Sequence, residues 1–155
     1  MDGFELDFVL KKGEGQFVEF KESFDSKNLS RELVAFANAQ GGRILMGVSD
    51  EGVVKGIDIT NKLKSDILTI ARNCDPPVRT TIEVFENILI VNVHEGSDKP
   101  YSCSQGFFLR MGATSQKLSR DEILDFSFSE GRITFDEQLN KTFDFEDFDD
   151  EKLNE

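Results

Sequence analysis

Cysteine and histidine are scarce in this chain of 155 residues, which has two Cys and one His. Cys74 and Cys103 are too few and too far apart in sequence for a disulfide scaffold, and His94 cannot complete a His/Cys zinc set with them. Both thiols are expected to be reduced and buried. Basic residues are outnumbered as well: 18 Lys and Arg stand against 30 Asp and Glu, for a formal charge of −12. That balance argues against coating nucleic acid or an anionic membrane by bulk electrostatics, so any nucleic-acid contact must come from a local patch. A basic-plus-apolar leader is missing, and no apolar run nears the roughly 20 residues of a membrane span. The expectation is a cytoplasmic protein with no membrane partner. Phosphate loops are missing too. Gly41-Gly42 lacks the G-x-x-x-x-G-K-[ST] layout, and no G-x-G-x-x-G opens a helix after a strand, which leaves ATP chemistry unsupported. Ser-His-Asp or Cys-His catalysis would rest wholly on His94, at the end of an apolar strand.

What is present is enough to bury one core: Ile, Leu, Val and Phe make up about 31% of the residues. Short elements alternate without a Pro/Gly/Ser linker or an internal repeat. Phe17 to Lys21 alternates as a strand, with Phe17 and Glu19 on one face and Val18 and Phe20 on the other. Leu29 to Ala39 carries Leu29, Leu33, Phe36 and Ala37 at helical spacing, with Asn28 or Ser30 as the cap and Gly41-Gly42 as the stop. Arg43 to Val48 reads as a buried strand, Ser49 to Gly52 as a turn, and Val53-Val54 as a return arm. Thr60 to Asn73 predicts a second helix ended by Pro76-Pro77. Val78 to Phe85, Ile88 to His94 and Gly106 to Met111 predict further strands. Ser119 to Glu122 has the Ser-x-x-Glu form of a capping box and starts a third helix that stops near Gly131.

The fold class expected is therefore α+β: a single domain over residues 1–131, with a mixed, mostly antiparallel sheet of about five or six strands and about three helices. Residues 132–155 read as an acidic, Phe-rich extension at the start of a downstream region. Within it, Asp136 to Glu155 holds nine acidic and two basic residues, and its phenylalanines suit docking on a surface.

Two constellations carry chemistry. Glu14, Glu19 and Glu22, with Asp50 in the turn after the Arg43–Val48 strand, could hold Mg²⁺ or Mn²⁺ through oxygen ligands and so hydrolyse a phosphodiester; solvated acid on a strand and a turn is the bland alternative. Lys21, Lys27, Arg31 and Arg43 surround the first strand and helix, while Arg79, Arg110, Lys117 and Arg120 surround the later strands and third helix. Such side chains on one sheet face, near phenylalanines, would suit phosphate contacts and base stacking.

The ordered match of Val18-Glu19-Phe20-Lys21-Glu22-Ser23 and Ser30 to Gly52, through Ala35-Phe36-Ala37-Asn38-Ala39-Gln40-Gly41-Gly42 and Gly47-Val48-Ser49-Asp50, resembles the Schlafen/AlbA-type DNA-binding domain. Asp75-Pro76-Pro77, Lys99-Pro100-Tyr101 and Gly106 to Ser115 agree with it, so the resemblance spans about residues 5 to 130. It implies the nucleic-acid-binding N-terminal module of a transcriptional regulator of the RecG-related kind, with DNA or RNA, the downstream domains and a second copy of the chain as partners. Eukaryotic Schlafen proteins resembling this domain include metal-dependent ribonucleases with a three-carboxylate site, and by motif those positions are Glu14, Glu19 and Asp50. A protein-interaction or dimerisation module is the third class. For binding, the candidate phosphate anchors are Lys21, Lys27, Arg31, Arg43, Arg110 and Lys117.

Overall fold

The computed structural model describes residues 1–129. They fall into two compact units, Met1–Leu118 and the part of Ser119–Glu155 that is described. The expectations for residues 132–155 lie outside the described residues.

In the first unit, β1 (Val18–Lys21) runs parallel to β2 (Gly42–Met46), and the crossover between them is the helix α2 (Ser26–Asn38). Parallel neighbours need such a crossover, because a tight turn can only reverse the chain. β4 (Ile88–Val93) pairs antiparallel with β2 and with β3 (Thr80–Phe85), giving a four-stranded order β1-β2-β4-β3. Each central strand is apolar on both sides, as a sheet covered on both faces requires. Ile44, Met46, Leu89, Val91 and Val93 join α2 and α3 (Asn61–Arg72) in the larger core. Leu45, Ile88 and Ile90 point the other way, where Phe20 packs with Leu6 and Val9 of α1 (Gly3–Lys12).

The caps explain where the helices begin. Thr60 accepts a hydrogen bond from Leu63 N at 3.0 Å, as expected for α3. α2 starts earlier than its apolar spacing implies, because Asp25 rather than Asn28 or Ser30 caps it, accepting from Lys27 N and Asn28 N. Two glycines then turn the chain into β2. Gly41 has φ +78, and a Cβ there would lie 2.6 Å from Val93 O; at Gly42 a Cβ would lie 2.6 Å from the Phe36 ring.

A second sheet, β5 (Ser102–Cys103), β6 (Gly106–Met111) and β7 (Thr114–Lys117), is antiparallel throughout and packs on α2. The α+β class is as expected, but among the described residues the strands are seven in two sheets rather than one sheet of five or six. The expected hairpin after β2 shrinks to one bridge between Val48 and Val54. In the second unit, α4 (Arg120–Ser129) has the anticipated capping box: Glu122 N donates to Ser119 Oγ at 3.2 Å and Ser119 N donates to Glu122 Oε1 at 2.8 Å. Among the described residues no helix is long and apolar enough to cross a membrane.

The small sheet is tied to α2 by the fully buried Asn38. Its Nδ2 donates to Tyr101 O (2.9 Å) and Phe108 O (2.8 Å), and its Oδ1 accepts from Tyr101 N (2.6 Å). Asn38→Ala strands three buried backbone groups and is expected to cost about 3 kcal/mol. Urea unfolding should show a lower midpoint with an unchanged slope.

Candidate nucleic-acid interface and the charge cluster behind it

β1 is an edge strand whose alternation sends Phe20 toward α1 and Glu19 toward α2. Glu32 projects from α2 and Arg110 from β6, and all three side chains are buried. The Arg110 guanidinium is surrounded by acceptors. Nε donates to Gly15 O (3.1 Å) and Nη2 to Gly15 O and Val18 O (both 2.9 Å), while Nη1 donates to Glu19 (2.6 Å), Glu32 (3.2 Å) and Ser115 Oγ (3.2 Å). Its planar face lies over the Phe36 ring, 4.8 Å from the centroid. Lys21 Nζ adds a second cation, 3.4 Å from Glu19 and 3.6 Å from Glu32. Glu14 completes the group, accepting from Phe20 N at 2.9 Å.

Glu19 and Glu32 thus share two cations, and the half-buried Glu14 stands beside them. Glu19 carries the consequence. Burial raises its pKa above the ordinary 4.5, the hydrogen bond from Arg110 opposes this, and the neighbouring Glu14 carboxyl raises it further, against the attraction of Lys21 and Arg110.

These residues do not fit the expected Mg²⁺ or Mn²⁺ site. Both oxygens of Glu19 are in ion pairs, one oxygen of Glu14 is held by backbone, and Asp50 is exposed in the turn after β2. Among the described residues no three His, Cys, Asp or Glu side chains are placed to hold a metal ion. Arg110 and Lys21 already supply the positive charge that a divalent cation would bring to these carboxylates.

The six candidate phosphate anchors separate into three groups. Arg110 is buried with every N–H engaged, so it is an internal tie rather than a surface anchor, and Lys21 is half-buried beside it. Arg43 pairs with Glu5 at 2.7 Å. Lys27, Arg31 and Lys117 lie around the turn between β5 and β6 that holds Gln105, Arg31 through its side chain and Lys27 through its backbone carbonyl. Gln105 Nε2 donates to Lys27 O (3.3 Å) and Ser30 Oγ (3.1 Å), Arg31 donates to Gln105 Oε1, and Lys117 reaches across Gly106, where a Cβ would lie 3.0 Å from its Cε. Beside them Ser26, Lys27, Ser30, Asn73, Ser104, Gln105 and both cysteines line a cleft of about 220 Å³. His94 is exposed just beyond β4.

Sequence reasoning missed Glu32, Gln105 and Ser115. Glu32 left a signal, since it sits on the apolar stripe of α2 between Leu29 and Phe36. Gln105 and Ser115 left none, because their roles come from the packing of the second sheet.

A family model described as Schlafen, AlbA_2 matches residues 14–119. Comparison with curated proteins gives no match. Among solved structures, the chain is similar to the crystal structure of the DIP2311 protein from Corynebacterium diphtheriae, with 19% identity and a TM-score of 0.55. The likeness covers 74% of this chain and 27% of that one, so the chain spans about a quarter of that protein's length. At that identity it shows a shared fold.

Two predictions follow from the charge cluster. A carboxyl whose folded pKa is raised stabilises the fold fully below 4.5, and that contribution is lost as pH climbs from 4.5 through the raised value. Glu19→Gln stays neutral, so its stability relative to the parent should increase over that window; urea midpoints for both proteins between about pH 4 and 7 check this, and parallel profiles would refute it. Arg110→Met leaves Glu19 and Glu32 buried without their main cation and should cost about 3–5 kcal/mol in the same assay near neutral pH.

Proposed function

This chain belongs to the Schlafen AlbA_2 family, and from that premise we propose that it is a nucleic-acid-binding module whose contact surface is Lys27, Arg31 and Lys117 around Gln105. The observation that carries this reading is that Arg31, Lys117 and the Lys27 backbone meet at one turn of an otherwise acidic molecule, and none of these three side chains is in an ion pair with a carboxylate among the described residues. Phosphate contacts supply affinity without reading sequence, and Lys and Arg are the side chains that make them. The backbone N–H groups of Lys27 and Asn28 at the start of α2 are taken by Asp25, so a phosphate here is held by side chains. The hydroxyls of Ser26 and Ser104 along the adjoining cleft add neutral donors. DNA and RNA are both accommodated by this chemistry. In the setting of a RecG-related regulator, the module would hold nucleic acid for the domains that follow it.

The ribonuclease reading is not favoured, because Glu14 and Glu19 are committed to the charge cluster. The test is a low-salt gel shift with labelled single-stranded DNA, duplex DNA and structured RNA in EDTA. The parent should bind. Lys27→Ala, Arg31→Ala and Lys117→Ala combined should weaken binding across sequences and lower the salt slope by about 2–3. Arg43→Ala, whose guanidinium faces Glu5, should change little. Undiminished binding by the triple variant would overturn the assignment.

A further inference from the structure

The two cysteines that look unrelated in sequence are brought to one cleft by the fold. Asp75 and Ser102 form a single antiparallel bridge, each N–H donating to the other's carbonyl at 2.8 Å. Continued one residue past that isolated bridge, the register would set Cys74 opposite Cys103. A position flanking a doubly hydrogen-bonded pair has its Cα atoms about 4.5 Å apart, with side chains close. Disulfides form across Cα separations of about 4.4–6.8 Å. Two further observations agree: Cys103 packs against the core cluster that contains Cys74, and both line the cleft beside Lys27.

We propose that Cys74 and Cys103 are an oxidation-sensitive pair, which a small disulfide such as glutathione disulfide converts to an intramolecular disulfide joining the end of α3 to β5. The two thiols have different parts. Cys103 is partly exposed to the cleft, whereas Cys74 is buried, hydrogen-bonds to Ile70 O at 3.4 Å, and has its thiol pushed up to about 12 by burial and, secondarily, by Cys103. Cys103 therefore attacks first. Its thiolate displaces one glutathione thiolate from the reagent and forms a mixed disulfide. Cys74 then gives its proton to solvent and attacks the Cys103 sulfur, expelling the second glutathione as a thiolate. The sum is two protein thiols and one glutathione disulfide giving one protein disulfide and two glutathione thiols. Neither step involves the charge cluster or a nucleic acid, so the inference stands apart from the proposed function.

The test is exposure of the native full chain to glutathione disulfide, followed by quenching, denaturation, alkylation of the remaining thiols and intact mass spectrometry. The expected product is a monomer lighter by two hydrogens, with no alkylated cysteine and a peptide cross-link between Cys74 and Cys103, reversed by dithiothreitol. Cys74→Ser should stop at a glutathione adduct on Cys103, and Cys103→Ser should leave Cys74 unmodified. If either variant fails to fold, the time course of the parent decides the order, since a Cys103 adduct must precede the disulfide. A persistent adduct in the parent, two free thiols, a disulfide between two chains, or an adduct appearing first on Cys74 would each overturn the proposal.

Discussion

The fold is organised around a guanidinium with no access to water. Arg110 reaches from the second sheet into the angle between β1 and α2, where its five donors meet two backbone carbonyls, two carboxylates and a hydroxyl. A lysine could not replace it, because a single ammonium has neither the planar fork nor the flat face that lies on Phe36. The loop before β1, the β1 edge strand, the middle of α2 and the β6–β7 hairpin are all held by this one side chain. The desolvation of the ions is offset by the number and closeness of these contacts, and burial, with the neighbouring Glu14 adding to it, is what raises the pKa of Glu19.

Much of the fold was legible because its elements announce themselves locally. β2 and β4 are continuous apolar runs, as strands covered on both faces must be. α3 lies between a capping Thr60 and Pro76-Pro77, and α4 opens with its capping box. α1 was not legible: Phe4 and Phe8, its largest apolar residues, are exposed, so its buried Leu6 and Val9 make no clear stripe. β5 is two residues long and β7 reads Thr-Ser-Gln-Lys, and neither alternates in a way that sequence could report. The division into two sheets is a tertiary outcome decided by what packs on α2.

The candidate site shows the same limit from the side of charge. Sequence identifies a residue as cationic but not as wet. Lys27, Arg31, Lys117 and Arg110 look alike as letters, yet the first three lie around the β5–β6 turn, two of them exposed and Arg31 half-buried, and the fourth is enclosed. Glu32 was the available clue, since a carboxylate on the apolar stripe of a helix requires a buried partner. α2 therefore has two separate duties. Its first turns carry Lys27 and Arg31, while its middle turns carry the core and the ion pairs that hold the small sheet in place.

The distances along the chain between the partners of Arg110 bear on how the protein is made. Glu19 precedes Arg110 by 91 residues and Glu32 by 78. A ribosome releases the N-terminal residues first, at roughly 5–20 residues per second. All four strands of the larger sheet, with α1, α2 and α3, are therefore synthesised before the counter-ion for two of their carboxylates exists. Until β6 emerges, Lys21 alone faces both. During that interval of roughly several seconds, Glu19 and Glu32 lack the arginine that pairs with both in the finished fold.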